Sequence, residues 1–209
     1  MTRQRIGIMG GTFDPVHMGH LIIGEKAYEQ LHLDKIYFIP SGNPPHKKNR
    51  AGRATDEQRV EMVRRAISTN PHFELQLVEM HEEGYSYTYR TLEKLKRENP
   101  DTDYFFIIGA DSLFTLESWM KPERILAACT IVVATRNHTS LDQLNREIAC
   151  LTRKYQGQFI RLDTLNIDIS SEILRSWIAD QKSIRYYVPD PVISFIEEQQ
   201  IYQMGSEKL

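Results

Sequence analysis

Apolar residues fall along this chain in two alternating rhythms. Short unbroken apolar runs at 6–9, 35–40 (KIYFIP), 103–109 (DYFFIIG) and 130–134 (TIVVA) read as buried strands, and weaker strand patterns appear at 73–78 and 158–162. Between them the period lengthens to that of a helix. The segment 18–33 places Leu21, Gly24, Tyr28 and Leu31 on one face. Thr55 with Gln58 three residues on predicts a capping box for a helix to about Asn70, striped by Val60, Val63 and Ile67. Further helices are expected over 89–98, over 123–129 after Pro122, over 141–155 and over 170–180. In a last one, Val192, Ile193 and Ile196 face inward. Strands and helices alternating throughout predict an α/β fold, an open parallel sheet with helices on both faces, where ligands bind beyond the carboxyl ends of the strands. No internal repeat breaks the alternation. Residues 1–209 therefore read as a single domain, its last part helical from about 170.

Composition narrows the partners. A hydrophobic share of 41% beside 26% charged residues is that of a soluble globular protein. A formal net charge of −2 gives no general attraction to nucleic acid or anionic membrane, so neither is expected as a partner. Any anion must be held locally. Cys129 and Cys150 supply neither a disulfide framework nor a zinc site, no run reaches membrane-span length, and the first residues lack the apolar core of a signal peptide. A cytoplasmic location is expected, and oligomeric state is left open, a homo-oligomer included.

The candidate chemistry gathers at predicted strand ends. Gly10-Gly11-Thr12-Phe13-Asp14-Pro15 follows the first strand and runs into His17 and His20 at a helix start. That order suits a phosphate, because a helix start offers backbone N–H groups and the positive end of its dipole. Two other readings stand beside it: glycines that serve only a tight turn, and a metal ion held by His17, His20 and Asp14, for which no second cluster supplies further ligands. The GK[ST] ending of a P-loop is absent. A basic loop over 41–54 (SGNPPHKKNRAGRA) follows the second strand and contains Lys47. Gly109-Ala110-Asp111 ends the strongest strand, Trp119 follows, and Ser170 and Ser171 open a late helix carrying Arg175. Taken singly, each has a plain structural explanation as surface, core or cap; together they set several anion-suited devices at one sheet edge.

The pairing of Gly10–Pro15 and His17-x-x-His20 with Ile169-Ser170-Ser171 and Arg175 resembles the double signature of the nucleotidyltransferase superfamily, whose fold is Rossmann-like. Within it, Pro44-Pro45-His46-Lys47, Ser86-Tyr87-Thr88-Tyr89, Gly109-Ala110-Asp111, Trp119 and the ending Tyr187-Val188-Pro189 through Tyr202 are most similar to the bacterial nicotinate-nucleotide adenylyltransferases. The resemblance runs nearly end to end. It implies transfer of AMP from ATP to nicotinate mononucleotide, with Mg²⁺ carried mainly on ATP oxygens and no metal bound by protein side chains alone.

The resemblance also assigns residues. His17, His20, Lys47 and Arg175 would be catalytic. ATP would meet Gly10, Gly11, Thr12, Phe13, His17, His20, Gly109, Asp111, Ser170, Ser171 and Arg175, and the phosphates would favour protonated imidazoles. Nicotinate mononucleotide would meet Thr12, Lys47, Tyr87, Thr88 and Trp119. Lys47 would act from a movable loop. Two departures limit this transfer: Ala134-Thr135-Arg136-Asn137 replaces the family's usual Ala-Arg-Pro-Gly, leaving the adenine contacts unassigned, and Glu172 replaces a common threonine, with its side chain expected to point outward. Nicotinamide mononucleotide and phosphopantetheine remain as rival acceptors, and a nucleotide-binding regulator without turnover as a rival class.

Overall fold

A computed structural model describes residues 3–43, 52–80, 84–135, 140–165 and 167–203. Among these, β1 (Gln4–Gly11), β2 (Lys35–Pro40), β3 (Phe73–Leu75), β4 (Thr102–Gly109), β5 (Thr130–Ala134) and β6 (Phe159–Leu162) form one sheet in the order β3-β2-β1-β4-β5-β6, every neighbouring pair parallel. This is the open α/β arrangement the apolar pattern predicts, and its order reverses between β1 and β4. Such a reversal separates the crossover helices of the two halves and opens a crevice beyond the strand ends.

The layers follow from side-chain alternation along the central strands. Met9, Ile36, Phe38, Phe105, Ile107 and Val132 join the core on one face, while Ile6, Ile8, Ile39, Phe106, Ile131 and Val133 join the core on the other. Burial on both faces explains why these strands read as unbroken apolar runs. The first face is covered by α1 (Met18–Gln30), α2 (Asp56–Ile67), α7 (Ser171–Ala179) and α8 (Asp190–Glu198); the second by α3 (Thr88–Glu98), α4 (Ala110–Phe114), α5 (Pro122–Ala128) and α6 (Leu141–Tyr155). None of the described helices is long and apolar enough to cross a membrane.

Four element readings shift. Helix α1 stops at Gln30 rather than 33, because His32 takes a left-handed φ of 47° and the Leu33 N–H closes on the Tyr28 carbonyl at 3.1 Å. Strand β3 lies at the sheet edge and pairs only along Ile36 to Phe38, after which Gln76 N–H donates to Phe38 O and the chain turns away. The capping box of Thr55 and Gln58 forms as expected, but the buried stripe of α2 is Arg59, Met62, Val63, Ala66 and Ile67, leaving Val60 half-exposed. In α8 Phe195 takes the inward place beside Val192 and Ile196, and Ile193 is only half-buried.

Candidate active site

The first motif is a turn whose conformation is set from several directions. The Ser41 N–H donates to Gly11 O at 2.8 Å, tying the ends of β1 and β2. Arg59, only 4% exposed, holds the same region from α2: Nη1 donates to Thr12 O at 2.7 Å, and Nη2 donates to Ser41 O and to Asp56 Oδ1, each at 2.8 Å. A fixed planar fork suits this task, since it can serve several oxygens from one buried position. A Cβ at Gly11 would come within 3.1 Å of the Phe13 ring, so glycine permits that ring to fold beneath the turn. Phe13 is 2% exposed and packs against Phe38 and His20. It can therefore offer a ligand its main chain, not its ring.

The turn delivers two imidazoles to the start of α1. The rings of His17 and His20 stack with centroids 3.7 Å apart, so the i, i+3 spacing does place them on one face. His17 N–H donates to His20 Nδ1 at 3.2 Å. A bond in that sense uses a bare Nδ1, which is the tautomer with its ring proton on Nε2. The tautomer that accepts this bond still has an Nε2–H donor. The helix start is also less open than expected, because Met18 N–H donates to Tyr187 O at 2.8 Å and His20 N–H to His17 O at 2.9 Å. Its capacity toward an anion therefore rests largely on the rings and the dipole.

The second motif meets the first directly. Ser171 Oγ donates to Pro15 O at 2.9 Å, and Arg175 Nη1 donates to Asp14 O at 2.6 Å. Positions 156 and 161 residues apart are thus in contact. Ser170 caps α7 by accepting from Glu172 N–H, which leaves its own hydroxyl proton for another acceptor. Glu172 is exposed, as expected.

Across the β1/β4 crevice lies a second set of walls. A cavity of about 250 Å³ is lined by Gly10, Gly11, Thr12, Thr88, Trp119 and Glu79 among others, and an adjoining cavity of about 580 Å³ runs past Tyr87, Thr88, Ser112, Trp119 and Met120. Trp119 stands edge-on to Phe106, centroids 6.3 Å apart, and is partly exposed to both cavities. Helix α3 starts here with Tyr87 as N-cap; no side chain caps it and its first turn has no acidic residue. The loops opposite are laced together: Asn43 N–H donates to Ser86 Oγ and Ser86 N–H to Asn43 O. A Cβ at Gly42 would lie 2.2 Å from Glu79 O, so this crossing admits only glycine. Gly109 leaves open space above the end of β4, whereas Asp111 is exposed in the first turn of α4 and lines neither cavity.

Three residues of the site were not singled out from sequence for the roles they take. Arg59 had a signal, a cation on the apolar stripe of a helix. Glu79, whose Oε1 accepts from Thr91 Oγ1 at 2.7 Å, is the one charged side chain lining the smaller cavity among the described residues, and nothing in its neighbourhood in sequence marks it. Asp14, read only as a candidate metal ligand, is 2% exposed and bonded within the protein. Among the described residues no three of His, Cys, Asp and Glu converge as a metal cage would require. Lys47, the Pro44-Pro45-His46 run before it, and Arg136-Asn137 lie outside the described residues.

The comparisons agree with this geometry. The cytidylyltransferase-like family profile matches residues 8–177. A protein of Lachnoclostridium phytofermentans, named a probable nicotinate-nucleotide adenylyltransferase, is 42% identical over 199 residues, covering 95% of this chain and 99% of its own length. One of the same name from Clostridium acetobutylicum is 41% identical with the same coverage. Among solved structures, the nicotinic acid mononucleotide adenylyltransferase of Plasmodium falciparum complexed with NaAD superposes with a TM-score of 0.78 at 20% identity, covering 95% of this chain and 97% of that one. At that identity it speaks for the fold.

The Arg59 clamp has a measurable consequence. Arg59→Met keeps much of the buried aliphatic stem but strips donors from two carbonyls, and is expected to lower unfolding free energy by about 1–3 kcal/mol in urea denaturation. A midpoint and slope equal to wild type would contradict the clamp.

Proposed function

Because the chain belongs to the cytidylyltransferase-like family and, within it, to the nicotinate-nucleotide adenylyltransferases, we propose that it transfers AMP from ATP to nicotinate mononucleotide, giving nicotinate adenine dinucleotide and pyrophosphate. The observation that carries the reading is the direct contact of the two motifs, Ser171 and Arg175 on the Asp14–Pro15 main chain, beside a crevice walled by Trp119 and the start of α3. An oxygen of the mononucleotide phosphate attacks the α-phosphorus of ATP in line, and the bond to the bridging oxygen of the β-phosphate breaks. No protein nucleophile is needed; the protein positions anions and stabilises charge building on the departing pyrophosphate.

In this reading His17 and His20 face the ATP phosphates, with His20 donating through Nε2, and Gly10, Gly11, Thr12 and Phe13 offer main chain. The Ser170 hydroxyl and the remaining N–H groups of Arg175 hold the β and γ phosphates. Ser171 contributes main chain there, since its hydroxyl is engaged with Pro15. Gly109 and Asp111 border the nucleotide at the end of β4, and Lys47 reaches the reacting phosphates from the 41–54 loop. Mg²⁺ fits as a companion of ATP: the donors here are imidazole, hydroxyl and guanidinium groups suited to phosphate oxygens, so the ion would be held mainly by the triphosphate.

On the acceptor side Trp119 stacks on the pyridinium ring, worth about 0.5–2 kcal/mol for a cation on an indole face. Tyr87 and Thr88 present the uncapped start of α3 to the nicotinate carboxylate, with Thr12 between ring and phosphate. A helix terminus contributes about 0.3–1 kcal/mol toward an anion when exposed and up to about 2 when partly buried, which favours the acid over the amide by a moderate factor. The setting would be the cytoplasm, and a single domain suffices, since both motifs and both cavities belong to one sheet.

Pyrophosphate release with ATP and, in turn, nicotinate mononucleotide, nicotinamide mononucleotide and phosphopantetheine should be fastest with the first; release with none would show a binding protein without turnover. His20→Ala is expected to lower kcat by about 10²–10³-fold, the effect of removing one preformed donor, with nucleotide binding weakened less. Near-normal turnover would remove His20 from the chemistry. Trp119→Ala should chiefly raise KM for the mononucleotide with kcat little changed, the mark of lost uniform binding; an unchanged KM would return Trp119 to a packing role.

A further inference from the structure

The least accessible charge of the site is the carboxylate of Asp14, and its orientation is set from far along the chain. Oδ1 accepts two hydrogen bonds, from Ala54 N–H at 3.1 Å and from the Tyr202 hydroxyl at 2.7 Å, 188 positions downstream. Among the described residues Oδ2 accepts none and instead faces Arg175 Nη1 at 3.6 Å and Arg53 Nε at 4.0 Å. A carboxylate can turn about its Cβ–Cγ bond, so pinning one oxygen decides what the other confronts. Arg175, in turn, donates to the Asp14 carbonyl, in the turn that leads to His17 and His20. Tyr202 itself is 9% exposed and lines neither cavity beside Trp119.

We propose that Tyr202 is a positioning residue for the transfer: its hydroxyl fixes the Asp14 carboxylate and, through it, the Arg175 guanidinium and the turn that presents the two imidazoles. The proposal rests on the adenylyl-transfer reading above. Its distinguishing feature is that the ring and the hydroxyl do separate things. The ring belongs to the core cluster that includes Met62, whereas the hydroxyl, 3.9 Å from Met62 Sδ, is the group that reaches the carboxylate. Burial, reinforced by the neighbouring Asp14 charge, pushes the phenol well above its ordinary range, so the group remains a protonated donor throughout the range in which the protein would work. Without that donor, Oδ1 keeps only the Ala54 bond and the carboxylate is free to swing toward either arginine.

Wild-type protein is assayed first with ATP and nicotinate mononucleotide; absence of transfer there would sink the functional reading itself. Given transfer, Tyr202→Phe, which keeps the ring, should lower kcat about tenfold or more, since a misplacement near 1 Å can cost up to about 10²-fold. KM for the mononucleotide should stay near wild type, and melting should remain cooperative. Asp14→Asn, which keeps an acceptor for the phenol but drops the charge facing Arg175, should show the same split. In the double variant the losses should not multiply, because both changes break one chain of contacts. Wild-type kcat in a folded Tyr202→Phe protein, or fully multiplicative losses, would overturn the proposal. If the phenylalanine variant does not fold, Asp14→Asn decides alone: a tenfold loss in kcat with cooperative melting upholds the positioning chain, and an unchanged kcat overturns it.

Discussion

A parallel sheet delivers every strand's carboxyl end to the same edge, and where the crossovers change direction two neighbouring strands leave that edge toward opposite faces, so no connection fills the space between them. Here the change falls between β1 and β4. The first strand sends its chain into the glycine turn and α1; the fourth sends its chain through α4 to Trp119. Among the described residues, the glycine turn with its two imidazoles and the Trp119 wall are placed by that divergence. Phosphate-suited groups collect on the β1 side and the aromatic wall on the β4 side, with the crevice between them.

Within that frame the site is held by hydrogen bonds to main-chain carbonyls more than by ion pairs. Arg59 serves Thr12 and Ser41, Arg175 serves Asp14, and Ser171 serves Pro15. A guanidinium bonded to a neutral carbonyl keeps most of its charge uncompensated. The turn is tied down at its main chain from two other elements, α2 and α7. Two carboxylates also take part, Asp56 bonded to Arg59 at 2.8 Å and Asp14 Oδ2 facing Arg175 at 3.6 Å, and Asp14 lines neither cavity.

The sheet and its strand ends were legible because burial on both faces writes itself as unbroken apolar runs, as at DYFFIIG. The capping box of Thr55 and Gln58 was legible because its chemistry is local. Less local facts were not. The stripe of α2 can be drawn through Val60 or through Arg59, and the sequence favours the apolar choice; the carbonyls of Thr12 and Ser41, contributed by other elements, join Asp56 in making burial of the arginine favourable. Phe13 sits in a motif expected to meet ligands, yet its positive φ of 51° accompanies a ring turned inward. The contact at His20 Nδ1 depends on one backbone N–H, and the hydroxyl that bonds Asp14 lies 188 positions away. Periodicity carries no information about either. The two motifs could be paired from sequence only through a family resemblance; their contact is a property of the folded chain.

The edge-on stack of Trp119 against Phe106 bears on how a flat ring would be recognised. An indole free in solution samples several rotamers, and a ligand that must select one of them gives up part of its binding free energy in doing so. Here Phe106, itself on β4, holds the indole in a definite attitude before any ligand arrives. The loss of side-chain freedom belongs to folding rather than to binding, and any ring stacked on this indole would meet what is in effect an extension of the sheet.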